Sequence, residues 1–168
     1  MIAEKAGANI ASINYYFRTK DRLVNQALEI TIKHMLEDVI AAIEDKERPF
    51  RQTLTDIFYY LISGARGNPG ITTAHLYSLV VKKDYQSVSG RSFLEAFEKI
   101  RERLLENFPE EDPSQMGLVL STIFSAIMFM MLAPDFFPVD ERYRHTDEEH
   151  YRNLADHFTN MFYATVKS

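Results

Sequence analysis

The sequence predicts an all-α protein, and three patterns carry that prediction. Apolar residues recur at three- and four-residue steps in every long segment, the spacing of one helix face. Helix start and stop residues divide the segments, among them Asn9, Thr19, Pro49, Asn68-Pro69-Gly70, Asp112-Pro113 and Thr146. No stretch alternates apolar and polar residues in the manner of a half-buried strand.

The elements follow in order. A short helix ends near Ala6, and Gly7 supplies the positive φ that a helix C-terminus favours. Asn9 caps a second helix, since its side chain can accept a bond from a free backbone N–H. Ile13 and Phe17, four apart, face inward together and leave Ser12, Asn14, Tyr15 and Tyr16 to the other faces. Two adjacent tyrosines cannot both point inward from one helix. Thr19 then caps a long amphipathic helix from Lys20 to about Glu44, striped by Leu23, Ala27, Leu28, Thr31, Met35, Val39 and Ile43.

Pro49 suits the first position of the next helix, which runs to about Gly64 with Phe50, Leu54, Ile57, Phe58 and Leu61 on one stripe. Gly64 to Gly70 reads as a loop by its turn chemistry. A helix from about Ile71 to Val81 carries His75, Leu76, Tyr77 and Leu79, and the polar stretch from Asp84 to Gly90 reads as a second loop. Ser92-Phe93-Leu94-Glu95 offers a capping box for a helix faced by Phe93, Phe97, Ile100, Leu104 and Phe108.

After a break from Pro109 to Pro113, the helix from about Ser114 to Leu132 is apolar nearly all round. Such a helix must be covered on more than one side. Its length would also span a bilayer, but Ser114, Gln115, Ser121, Thr122 and Ser125 interrupt it and no second span accompanies it. Burial between the body and a second subunit is therefore the expectation. Pro134 to Arg144 reads as an irregular loop, and Thr146-Asp147-Glu148-Glu149 as a capping box. The final helix is striped by Tyr151, Leu154, Ala155, Phe158, Met161, Phe162 and Thr165.

Composition narrows the function classes. The chain has 168 residues, 46% of them hydrophobic and 26% charged, which suits one or two soluble domains with a sizeable core. There is no cysteine, so disulfides and thiolate metal sites are excluded. No basic stretch followed by an apolar run opens the chain, so a cytoplasmic location is the default expectation. The net charge of −5 argues against a nucleic-acid binder as a whole. Its distribution argues otherwise: residues 1–23 carry a net of +2 and the remainder −7. A small basic module on an acidic body allows DNA contact at one end.

Residues 2–23 resemble the DNA-binding signature of the tetracycline-repressor (TetR) family. The resemblance rests on Ala6-Gly7, on Ile13-Asn14-Tyr15-Tyr16-Phe17 closing a recognition helix, and on Lys20 and Leu23. It implies a partial helix-turn-helix head over residues 1–23 and a TetR-like helical ligand-binding and dimerisation domain over residues 24–168. The family's first helix would precede this motif, so the chain is expected to be N-terminally truncated relative to the family, with residues 1–18 its most mobile part.

The resemblance further implies a ligand-responsive repressor acting as a homodimer, on a double-stranded DNA operator if the head is complete, with specific DNA affinity of residues 1–168 alone expected to be weak or absent. Ser12 and Asn14 would then face base edges, while Tyr15, Tyr16, Thr19 and Lys20 would hold phosphates. Asn14 stands where many relatives carry an aromatic residue. In the family the middle helices enclose a cavity for a small effector. Phe58, His75, Tyr77, Phe93, Phe97, Phe124 and Met128 are the candidate lining, suited to a small apolar or amphipathic molecule. The alternative reading is a dimeric small-molecule-binding module that has lost DNA binding through its incomplete head.

Other chemistry finds little support. His145 and His150 bracket Asp147, and Asp147 and His150 are three apart. A di-iron bundle needs such a pair on each of two helices plus further carboxylates, and only one pair is present. No nucleophile–base arrangement, phosphate-cradling glycine loop or zinc spacing occurs. No enzyme, metal or cofactor is expected.

Overall fold

The computed structural model describes residues 2–133, 136 and 148–166. Within them the chain is all-helical, with no strand. The helices are α1 (Ile2–Lys5), α2 (Ile10–Phe17), α3 (Lys20–Glu44), α4 (Phe50–Gly67), α5 (Pro69–Val80), α6 (Val88–Asn107), α7 (Pro113–Leu132) and α8 (Glu148–Val166).

Two long pairings organise the body: α4 lies along α8, and α3 lies along α6. Helix α7 packs against α4, α5, α6 and α8, while α2 touches α3. The stripes meet in one core that draws on α3, α4, α6, α7 and α8. At its centre Phe58 is fully buried and sets its ring edge-to-face with Phe124 and Phe158, at centroid distances of 6.1 and 6.3 Å. Leu54, Ile100, Leu104, Leu120 and Phe162 are likewise wholly buried around it. Full burial of one such side chain contributes on the order of 1.5–3 kcal/mol, so the matching of these stripes outweighs helix propensity in fixing the fold.

One expected loop turns out helical, and a second is shorter than expected. Helix α4 continues through Gly64 and Ala65 to Gly67, and Asn68 alone separates it from α5, which Pro69 opens. Glycine inside a helix costs only about 1 kcal/mol against alanine. Ala65 is buried at 4% exposure and Ile62 at 5%, so packing offsets that cost. The second revision concerns α6. Its cap is Ser87, whose Oγ accepts from the Gly90 N–H at 3.2 Å, so the helix starts before the expected Ser92 box. Ser92 is buried within the second turn.

Helix α7 buries a single stripe, Met116, Leu120, Ile123 and Ile127. Among the described residues it is the one helix long and apolar enough to cross a membrane by length and composition. The expected loop from Pro134 to Arg144, apart from Phe136, lies outside the described residues, as do His145, Thr146 and Asp147.

Candidate ligand cavity and nucleic-acid interface

The head is built from caps. Gly7 adopts a φ of +60°, ending α1, and the Asn9 side chain accepts from the Ala11 N–H at 2.8 Å to start α2. Arg18 closes α2 at a φ of 61°, and the Thr19 hydroxyl accepts from the Arg22 N–H at 3.2 Å to start α3. Ile13 and Phe17 are half-buried toward the body, so α2 presents its remaining faces outward.

Ser12, Asn14, Tyr15, Tyr16, Thr19 and Lys20 are all exposed, with Tyr15 at 79% and Tyr16 at 73%. The two tyrosine rings meet edge-to-face at 5.3 Å. The structure therefore brings an amide, four hydroxyls and an ammonium to one helix and the start of the next, with Arg18 and Arg22 beside them. Side chains of these types can bond phosphates and base edges.

A cavity of about 310 Å³ opens between α3, α4, α5, α6 and α7. Ile32, Leu61, Ala65, Phe93 and Met131 give it apolar walls, and Thr31, Thr72 and His75 place polar groups along α3 and α5. Tyr60, Gly64, Asn68 and Ile71 line it too and are themselves exposed, so they mark its mouth. The volume falls at the small end of ligand pockets, about 300–1,000 Å³.

His75 is the polar centre of this region, and its tautomer follows from its neighbours. The Thr31 hydroxyl donates its only hydrogen to the Leu28 carbonyl at 3.0 Å. Its oxygen, 2.9 Å from His75 Nε2, must therefore accept the Nε2 hydrogen. In the neutral ring Nδ1 then accepts from the Ser89 hydroxyl, also at 2.9 Å. Burial lowers the His75 pKa below its ordinary value, which keeps the ring neutral. One imidazole thus ties α3, α5 and α6 together.

Tyr60 marks the mouth differently. Its hydroxyl donates to Asp38 Oδ2 at 2.6 Å, and burial followed by that bond and the carboxylate's charge pushes its pKa up to about 12. The phenol is therefore neutral across the physiological range.

Of the seven sequence candidates for the lining, His75 and Phe93 reach this cavity. Phe58 and Phe124 belong to the core instead, and Phe97 stacks edge-to-face on Phe124 at 5.6 Å. Tyr77 is 47% exposed with Lys82 over its ring, and Met128 is half-buried on α7 outside the lining. Counting aromatic residues favoured large side chains, and those are what a core takes first. The other lining residues were missed, Thr31, Met35, Asn68, Thr72 and Met131 among them. Thr31 and Met35 sit one turn apart on the long-helix stripe, which marks them as inward-facing without marking a cavity.

Among the described residues no group of three or more His, Asp or Glu side chains could hold a metal. No family model matches the chain, and neither a curated protein nor a solved structure matches it significantly.

Proposed function

We propose that the protein is a ligand-responsive DNA-binding transcriptional repressor of the tetracycline-repressor type, acting in the cytoplasm as a homodimer. One observation carries this reading. Helix α3 begins at the exposed Thr19 and Lys20, and about 17 Å along its axis the same helix gives Thr31, Ile32 and Met35 to the cavity. A molecule seated in the cavity presses on the element that carries the head. Effector binding would shift the population between two settings of α3 and so alter the spacing of the two heads.

The dimer supplies the second half of the site. Two heads would meet half-sites about 34–36 Å apart, one turn of DNA. Leu118 and Phe129 on the outward side of α7 and Met161 on α8 are exposed in the single chain. A second copy, rather than lipid, is the cover this reading assigns to them.

Selection from a random duplex pool tests the reading. The expected product is a two-fold symmetric site. On that site Lys20→Ala should weaken all binding and reduce the salt slope by about one. Asn14→Ala should cost about 1–3 kcal/mol on the selected site alone. No enrichment over the starting pool sinks the reading and favours the ligand-binding module without DNA function. That second reading has its own support, since α2 contributes no buried side chain to hold it against the body.

A further inference from the structure

The cavity has apolar walls and several polar groups, yet none of its described lining residues carries a charge at neutral pH. Its lining comprises threonines, an asparagine, a tyrosine, a histidine, a glycine and apolar side chains. The Tyr60 phenol and the His75 imidazole could in principle ionise, but both are held neutral. Both His75 nitrogens are also already bonded, to Thr31 and Ser89. No lysine or arginine lines the space among the described residues to neutralise a carboxylate or phosphate. The Asp38 carboxylate, bonded to the lining residue Tyr60, is exposed and is not itself part of the lining.

An unpaired charge moved from water into such walls loses far more free energy than apolar contact returns. A single hydroxyl or carbonyl fares differently. Asn68 occupies the cap position of α5 without bonding its helix through its side chain, and Thr72 follows one turn later on the same face. An amide and a hydroxyl at that spacing can donate to and accept from one neutral polar group near the mouth.

We propose that the cavity binds an uncharged amphiphile, an alcohol or ketone with an apolar body, whose polar group bonds Asn68 and Thr72. Its size is on the order of ten non-hydrogen atoms, taking a water's share of volume, about 30 Å³, as a guide to the 310 Å³ cavity. The proposal rests on the regulator reading only in treating the cavity as the effector site. It is tested without DNA, so its failure and the failure of DNA selection are separate results.

The probes are decanol, decanoate and decyltrimethylammonium, which share a chain and differ in charge. The readout is methyl NMR of the full chain labelled at its methionines. Met35 and Met131 line the cavity, while Met161 is exposed on α8 and serves as the control. Decanol should shift Met35 and Met131 saturably and leave Met161 in place, with the two charged probes at least about tenfold weaker. Thr72→Val should weaken decanol by about three- to tenfold, the loss of one hydrogen bond.

Gly64→Leu should abolish binding with the fold intact. Gly64 lines the mouth, and a Cβ added there meets no atom within 4 Å, so a larger side chain starts in open space at the opening. Decanoate or the ammonium binding as tightly as decanol overturns the proposal. So does the absence of any shift, or a decanol shift at Met35 and Met131 that survives Gly64→Leu and Thr72→Val unchanged.

Discussion

The His75 Nε2 hydrogen is donated to the Thr31 hydroxyl oxygen across 2.9 Å, and that oxygen passes its own hydrogen to the Leu28 carbonyl. The chain of bonds fixes α5 to α3 through a neutral ring. Its neutrality gives folding stability a pH dependence of known sign. The folded state holds His75 below 6.5, its ordinary pKa, so the unfolded chain binds the extra proton first as pH falls. Stability from this residue is complete above 6.5, declines as pH drops through that value, and levels off below the folded pKa. Thermal unfolding between about pH 8 and pH 5 checks it, with His75→Gln expected to flatten the decline. Parallel curves for the two proteins would show that another group carries the dependence.

Two glycines should respond in opposite ways to the same substitution. A Cβ at Gly90 would lie 2.5 Å from the Tyr85 carbonyl oxygen, a backbone atom that cannot swing aside. Gly90→Ala should therefore destabilise by about 1–3 kcal/mol, as overpacking does, despite alanine's better helix propensity. Gly64→Ala meets nothing within 4 Å and should stabilise by up to about 1 kcal/mol. Urea midpoints of the two variants measure the contrast, and a stabilised Gly90→Ala would mean that the 85–90 turn yields.

The same glycines explain what the sequence left hidden. Stripes and caps located the long helices, because Phe50, Leu54, Ile57, Phe58 and Leu61 keep the helical period and Asn9 and Thr19 bond as N-caps do. Turn chemistry misplaced two boundaries. Gly64, Gly67 and Gly70 read as loop residues, but Ala65 is held in the core between them. At Gly90 the glycine serves close approach rather than a turn, and that depends on where the Tyr85 carbonyl ends up in space. The cavity was legible only at His75 and Phe93, since Thr31 and Thr72 become lining through helix packing that no local pattern encodes.

The outward face of α7 leads to a prediction about assembly. Ser121, Thr122 and Ser125 donate their hydroxyls to carbonyls one turn back, Gly117, Leu118 and Ser121, at 2.7, 2.9 and 2.8 Å. With those hydrogens already used, the face can be covered by another helix at little polar cost. Leu118 at 68% exposure and Phe129 at 42% are the apolar anchors. Sedimentation at micromolar concentration should return a dimer, and Leu118→Glu should shift it to monomer while leaving helical content unchanged. A monomer from the unaltered chain would remove the dimer from the proposed function.

The last prediction separates the head from the body. Helix α2 has eight residues and buries none of them, whereas α7 buries four and α4 eight. Fixing a backbone residue costs about 1–2 kcal/mol of conformational entropy, and half-buried Ile13 and Phe17 return only part of that across the helix. Opening of α2 should therefore require far less free energy than opening of the core helices. Amide exchange should be fast across Ile10–Phe17 and slow across Leu118–Met131. A head of this kind would be ordered by DNA at the moment of binding, and the ordering cost would be subtracted from its affinity. Adding the selected duplex should then slow exchange at Asn14 to Phe17 selectively. Protection of α2 equal to that of α7 in the free protein would show that the half-buried pair is enough to hold the head, and tighter DNA binding would follow.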